Sequence, residues 1–182
     1  MKSAVPWLTV VLFSIGCGAP TTAPDAGADV DAGTNPNPDS GTPMVLTGTL
    51  GALGAVGPIV SSWVISNSGE TLIYLSSAQL TCATVQTSRW LGSQPAGSQV
   101  VEVVIRGTPT SGQTVNVPTS EVNYAGGGRS SSYEIRAASG RVTFTTAAAS
   151  SAVQGTLQAT YADGSSISGP FHAEFCANGQ GY

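Results

Sequence analysis

Gly155-Thr156-Leu157-Gln158-Ala159-Thr160-Tyr161 and Gly169-Pro170-Phe171-His172-Ala173-Glu174-Phe175 share one pattern, Gly-x-apolar-x-Ala-x-aromatic, and Asp163-Gly164 lies between them. Strict alternation over this length reads as two strands with one buried face each. Asp-Gly supplies the turn, because glycine accepts a positive φ and aspartate bonds its own backbone. Centring the turn on Gly164 places Tyr161 opposite Ile167, Leu157 opposite Phe171 and Val153 opposite Phe175. Ala159 then faces Gly169, and Gly155 faces Ala173. Large pairs alternate with small ones, so a second layer can interdigitate. Gln154, Thr156, Gln158, Thr160, His172 and Glu174 take the wet face. A slip of one residue would turn every apolar side chain outward, so the choice of face is strongly set. Pro170 has no N–H for a neighbouring ladder, which predicts a sheet edge near it.

Working outward, Val, Ile, Thr and Tyr cluster in short runs separated by Gly, Ser, Pro and Asn. Such runs read as strands. The runs are Ile59–Ser66, Thr71–Ser76, Gln99–Arg106, Gln113–Val117, Ser132–Ala137, Arg141–Thr145, Val153–Tyr161 and Ser166–Cys176. Asn67-Ser68-Gly69 reads as the turn between the first two. Val100–Ile105 is apolar on both faces except at Glu102, which predicts a central strand covered on both sides. The expected fold class is all-β, an antiparallel β-sandwich or small open barrel of about eight strands over residues 44–182.

Residues 1–16 differ in kind. Lys2 precedes the apolar run Ala4–Phe13, which is too short to span a bilayer as a helix of ~20 residues. Basic start, short apolar run and small residues describe an export signal. Ser14-Ile15-Gly16-Cys17 resembles the lipobox of bacterial lipoproteins, with Ser14 where leucine is usual. The resemblance implies cleavage after Gly16 and lipid on Cys17. The rival is ordinary signal-peptidase cleavage after Ala19, which would place Pro20 just past the cut. Two or more acyl chains anchor a protein stably, whereas one does not.

Residues 17–43 then hold the lipidated cysteine and a tether. Gly18–Pro43 carries five prolines, four aspartates, no lysine or arginine, and Val30 as its only aliphatic residue larger than alanine. Such a composition predicts a disordered spacer. A flexible chain of this length spans ~25–30 Å on average.

The remaining domain has six acids and five arginines, and no lysine follows Lys2. That balance gives no basic face for nucleic acid. With Cys17 lipidated, Cys82 and Cys176 remain. In an oxidising compartment they are expected to form a disulfide. Closing a loop of about 95 residues is worth ~4–5 kcal/mol in the chain-entropy picture. A metal site is not expected, since His172 is the only histidine.

Three stretches carry a wider resemblance: Gly48-Thr-Leu-Gly-Ala-Leu-Gly-Ala, Leu75-Ser-Ser-Ala-Gln-Leu-Thr-Cys82 and Gly169-Pro-Phe-His-Ala-Glu-Phe-Cys176. Together with the lipobox and the Asp/Ala/Gly tether, they resemble a group of uncharacterised lipoproteins of Gram-negative bacteria. That group has a small β-domain with a cysteine at the end of its last strand. The resemblance implies location and fold. It carries no catalytic residue.

Chemistry-bearing residues are sparse. His172 and Glu174 stand two apart on a strand and therefore share a face, as an acid–base pair or a solvated polar patch. Asp163 is the domain's one aspartate and sits where a turn calls for it. No serine lies in a nucleophile-elbow pattern, and Gly126-Gly-Gly-Arg129 lacks the Gly-Lys-Ser/Thr end of a phosphate loop. The candidate ligand contacts are Arg89, Trp90, Tyr124 and Arg129, because arginine and aromatic side chains favour binding hot spots. The alternative places Trp90 in the core and Arg89 in solvent. The sequence thus predicts a lipid-anchored outer-membrane or cell-surface lipoprotein, non-catalytic and without cofactor. It would act as a binding or structural module for a glycan or protein ligand. The alternatives are an extracytoplasmic hydrolase and an accessory subunit of envelope assembly or export.

Overall fold

The computed structural model describes residues 44–67, 69–85, 95–126 and 135–177. The expected signal segment, Cys17 and the tether lie outside them. Strand accounts for 57% and helix for 6% among the described residues, so the fold class is all-β. The strands are β1 (Thr47–Gly48), β2 (Ser61–Asn67), β3 (Glu70–Ser76), β4 (Gln99–Arg106), β5 (Thr114–Asn116), β6 (Glu121–Gly126), β7 (Ile135–Thr146), β8 (Val153–Tyr161) and β9 (Ser166–Phe175). A short helix, α1 (Cys82–Val85), follows β3.

Two groups of strands can be traced. One runs β1-β9-β8-β7-β5 and the other β2-β3-β4-β6. They join at two seams. At one, β2 pairs parallel with β9 through Trp63↔Glu174 and Val64↔Phe175. At the other, β6 pairs with β7 through Asn123↔Arg136 and Tyr124↔Ile135. The seams close a ring of seven strands, with β1 and β5 as additions outside it. Every pairing is antiparallel except that of β2 with β9.

Inward side chains of both groups form one core, including Val64, Ile73, Val103, Val122, Phe144, Leu157 and Phe171. A second, smaller cluster lies on the outward face of β2, β3 and β4. It joins Trp63, Ile65, Leu72, Tyr74 and Val100 to Leu80, Val85 and Cys176. β4 is therefore buried on both faces, as its double apolar pattern predicted. Residues 77–98 connect β3 to β4, and their described part covers this outer cluster.

The β8–β9 faces follow the alternation, but the register differs from the one expected. Gly155 lies opposite Phe171, Leu157 opposite Gly169, Ala159 opposite Ile167 and Val153 opposite Ala173. Each large side chain thus meets a small one, two residues away from the pairing set by centring on Gly164. The turn explains the shift. Gly164 N donates to Tyr161 O at 3.0 Å, and Tyr161 N donates to Ser165 O at 2.9 Å. Gly164 takes a φ of +83°. This is a three-residue loop with glycine in its last, left-handed place, and it centres on Asp163. A shift of two preserves the faces, so burial alternates along β8 as expected.

Three further expectations are corrected. Glu121–Gly126 is a strand outside the eight expected runs. The separate runs Ser132–Ala137 and Arg141–Thr145 are replaced by the single strand β7, with register shifts at Ala137/Ser139 and Phe144/Thr146. These two changes, with β1, give nine strands rather than about eight. β9 is an edge only around Pro170, as expected there, and not along its length. β1 covers it at Ile167–Ser168 and β2 at Glu174–Phe175, and Pro170 stands in the gap between the two ladders.

Candidate functional site

The covered outward face of β2–β4 is the best-built feature outside the main core. Ser77 N donates to Gln99 O at 2.9 Å, which closes the base of the β3–β4 connection. The hydroxyl of Ser61 donates to Ala78 O at 2.7 Å and accepts from Leu80 N at 3.0 Å. The indole of Trp63 donates to Leu80 O at 3.1 Å, so the connection is sewn onto β2 by side chains. Leu80 and Val85 supply its apolar anchors. Cys82 and Cys176 are disulfide-bonded, with Cα atoms 5.4 Å apart. The bridge ties α1 to the residue after β9. Long connections with close ends and their own packing are frequent carriers of function. Arg89 and Trp90 belong to this connection, but they lie outside the described residues, as does Arg129.

Tyr124 is not a rim residue. It is 2% exposed on β6 and points into the core. Its ring meets that of Tyr161 edge to face, with centroids 4.7 Å apart. Residue type alone made Tyr124 a candidate ligand contact, and its burial takes it out of reach of a ligand on the surface. Its alternation with Val122 was the available signal. Burial, and after it the neighbouring Tyr124 and Asp163, pushes the Tyr161 phenol well above its ordinary pKa. The Tyr161 hydroxyl has no hydrogen-bond partner among the described residues. A Cβ at Gly51 would lie 2.3 Å from the Tyr124 hydroxyl and 2.5 Å from Asp163 Oδ2, so the loop after β1 needs glycine there to cap this end of the core.

Asp163 does turn work. Its Oδ1 accepts from Ser165 Oγ at 2.6 Å and from Ser165 N at 2.9 Å. Those two bonds, the hydroxyl's first, hold its pKa below the usual carboxylate value.

His172 and Glu174 do share the outward face of β9. His172 Nε2 lies 2.8 Å from Glu174 Oε1, and the two side chains are 39% and 31% exposed. Gln154 Nε2 lies 3.5 Å from His172 Nδ1. The His172 backbone is also held, accepting from Ser62 Oγ at 2.6 Å. The arrangement is a surface pair on a rigid strand.

One polar site was passed over in the sequence. Asn123 Nδ2 donates to Glu102 Oε2 at 3.2 Å, and both residues are buried on the outward face of β4 and β6. Glu102 broke the apolar run in the sequence, which was its only signal. Beside it, Arg136 pairs with Glu121 at 3.0 Å. Among the described residues, no group of three His, Cys, Asp or Glu is placed to hold a metal ion. No described helix is long and apolar enough to cross a membrane.

No protein-family model, curated protein or solved structure matches the chain. The functional reading therefore rests on its own residues.

Proposed function

We propose that the chain is a lipid-anchored lipoprotein of the outer membrane or cell surface. Its β-domain acts there as a non-catalytic binding or structural module. The observation that carries the module reading is the first, described part of the β3–β4 connection, residues 77–85, fixed by the Cys82–Cys176 bridge and by the Ser61 and Trp63 hydrogen bonds. Order imposed before binding lowers the entropy cost of recognition. The same connection contains Arg89 and Trp90, the residue types that anchor interfaces. The ring of strands reads as a flattened barrel, a sandwich whose two halves touch at short seams. Its interior is filled by side chains, so a partner meets the domain from outside.

The anchor half of the reading rests on Gly16-Cys17 after a short apolar run. Cys17→Ser is expected to move the protein from the membrane to the soluble fraction. Retention of that variant in washed membranes would refute the anchor. A second reading, an extracytoplasmic hydrolase, draws on the His172–Glu174 contact alone. It requires a nucleophile beside that pair.

A further inference from the structure

Gln99 opens β4 and is fixed at its backbone. Its N–H donates to Ser77 Oγ at 2.8 Å, and its carbonyl accepts from Ser77 N at 2.9 Å. Its side chain reaches the segment that follows β1. There Oε1 accepts from Gly57 N at 2.8 Å, while Nε2 donates to Leu53 O at 3.1 Å and to Ala55 O at 3.0 Å. One amide thus holds residues 53–57 at three points. Among the described residues, the other hydrogen bonds of residues 51–57 stay within residues 48–57, as Val56 N to Gly48 O at 3.1 Å and Leu50 N to Gly54 O at 2.8 Å do.

The segment is shallow and covers a costly group. It consists of one 3-10 turn, Gly51–Leu53, and the residues after it, and none of residues 51–57 is fully buried. Gly51 at φ +50° and Gly54 at φ +80° bracket the turn, in backbone conformations that give it a hinge at each end. Leu53 and Val56 rest on the core while staying partly exposed. Gly51 lies against the Tyr124 hydroxyl and the Asp163 carboxylate, where no Cβ would fit. Tyr124 is the edge-to-face neighbour of Tyr161, whose buried hydroxyl has no partner among the described residues. Such a stranded hydroxyl costs the closed form free energy that water returns on opening. Shallow packing, two hinges and the stranded hydroxyl favour a local opening, and the Gln99 amide opposes it.

We infer that residues 51–57 are a lid on this end of the core, latched by the Gln99 side chain, and that its release admits water to the Tyr161 hydroxyl. Hydrogen exchange followed by NMR on the mature chain in detergent micelles tests it. In the parent, the Val56 and Gly57 amides should exchange together, about a hundredfold or more faster than those of Val103 in β4 and Leu157 in β8. Gln99→Ala should speed Val56 and Gly57 by about tenfold or more and leave Val103 and Leu157 unchanged. Val56 is the decisive amide, because it donates to Gly48 O and loses no partner in the variant. Gln99→Glu keeps an acceptor for Gly57 but has no donor at neutral pH for Leu53 and Ala55. It should speed Val56 as well, and it decides alone if Gln99→Ala does not fold. The Tyr161 Cζ resonance gives a second readout in Gln99→Ala. With the phenol ionising through the open lid, a tenfold easier opening lowers the pH of its titration by about one unit. Acceleration confined to Gly57, exchange of Val56 only at the pace of Val103 and Leu157, or a Tyr161 titration at the same pH in parent and Gln99→Ala overturns the inference.

Discussion

Phe171 meets Phe144 edge to face, with ring centroids 5.9 Å apart. Gly155 sits between them on the central strand, paired to both. The glycine is what allows the contact. A Cβ there would lie 2.2 Å from Thr143 O and 2.9 Å from Phe171 Cζ. Gly155→Ala is therefore expected to destabilise by at least the ~1–3 kcal/mol of an overpacked core. Urea melts beside the parent check it. An unchanged midpoint would mean the two rings do not meet across this residue.

Two neighbours on β9 should behave oppositely. Phe171 is buried in the main core, and Phe171→Ala should cost about 3–5 kcal/mol. His172 turns outward, and its contact with Glu174 is half in water. His172→Ala should cost under about 1 kcal/mol, the usual worth of an exposed pair. Equal losses at the two positions would refute the assignment of faces.

The Cys82–Cys176 bridge holds the β3–β4 connection over the outer cluster. Replacing both cysteines by serine should lower stability by about 2–5 kcal/mol. It should also loosen the cover over Trp63 and Leu72, read as increased binding of an apolar dye before the main transition. Alkylation of unreduced, denatured protein should find neither thiol. Two alkylated sites would contradict the bridge.

Acid and alkaline limits follow from two side chains. Asp163 has a lowered pKa in the folded chain, through Ser165. Its contribution is present above the unfolded aspartate value of about 3.9 and fades as pH falls through the folded one. Asp163→Asn should flatten that acid limb in urea midpoints taken across the acid range. Tyr161 runs the other way: its pKa is raised by burial, so its contribution is full below about pH 10 and is lost above it. Tyr161→Phe also deletes a buried hydroxyl that has no partner among the described residues. That variant should be no less stable than the parent at pH 7, and more stable relative to it above pH 10. A loss of more than about 1 kcal/mol at pH 7 would show that the hydroxyl is satisfied.

What could be read from sequence was set by period. Leu157, Phe171 and their alternate neighbours fixed the faces of β8 and β9, since any one-residue slip reverses them. The register was not legible to two residues, because a shift of two keeps every face and only the turn chooses. Gly164 fits two turn geometries, and the one adopted puts it last in the loop. β6 escaped because Asn123 and Glu121 gave it a polar outward row, which the Glu102 contact and the Arg136 pair now account for. The joining of two runs into β7 needed a bulge at Ala138, between Ala137 and Ser139, which alternation does not announce. With β6 unread, the inward position of Tyr124, two residues after Val122, was not legible either.

The most direct test of the account is the mass of the mature N-terminal peptide, taken from protein extracted from the cell envelope. The account predicts a peptide beginning at Cys17, heavier than its amino acids by the mass of several acyl chains and losing the ester-linked part of that added mass on mild alkaline hydrolysis. An unmodified peptide beginning after Ala19, or one that still contains Lys2, would contradict the lipid anchor on which the proposed function stands.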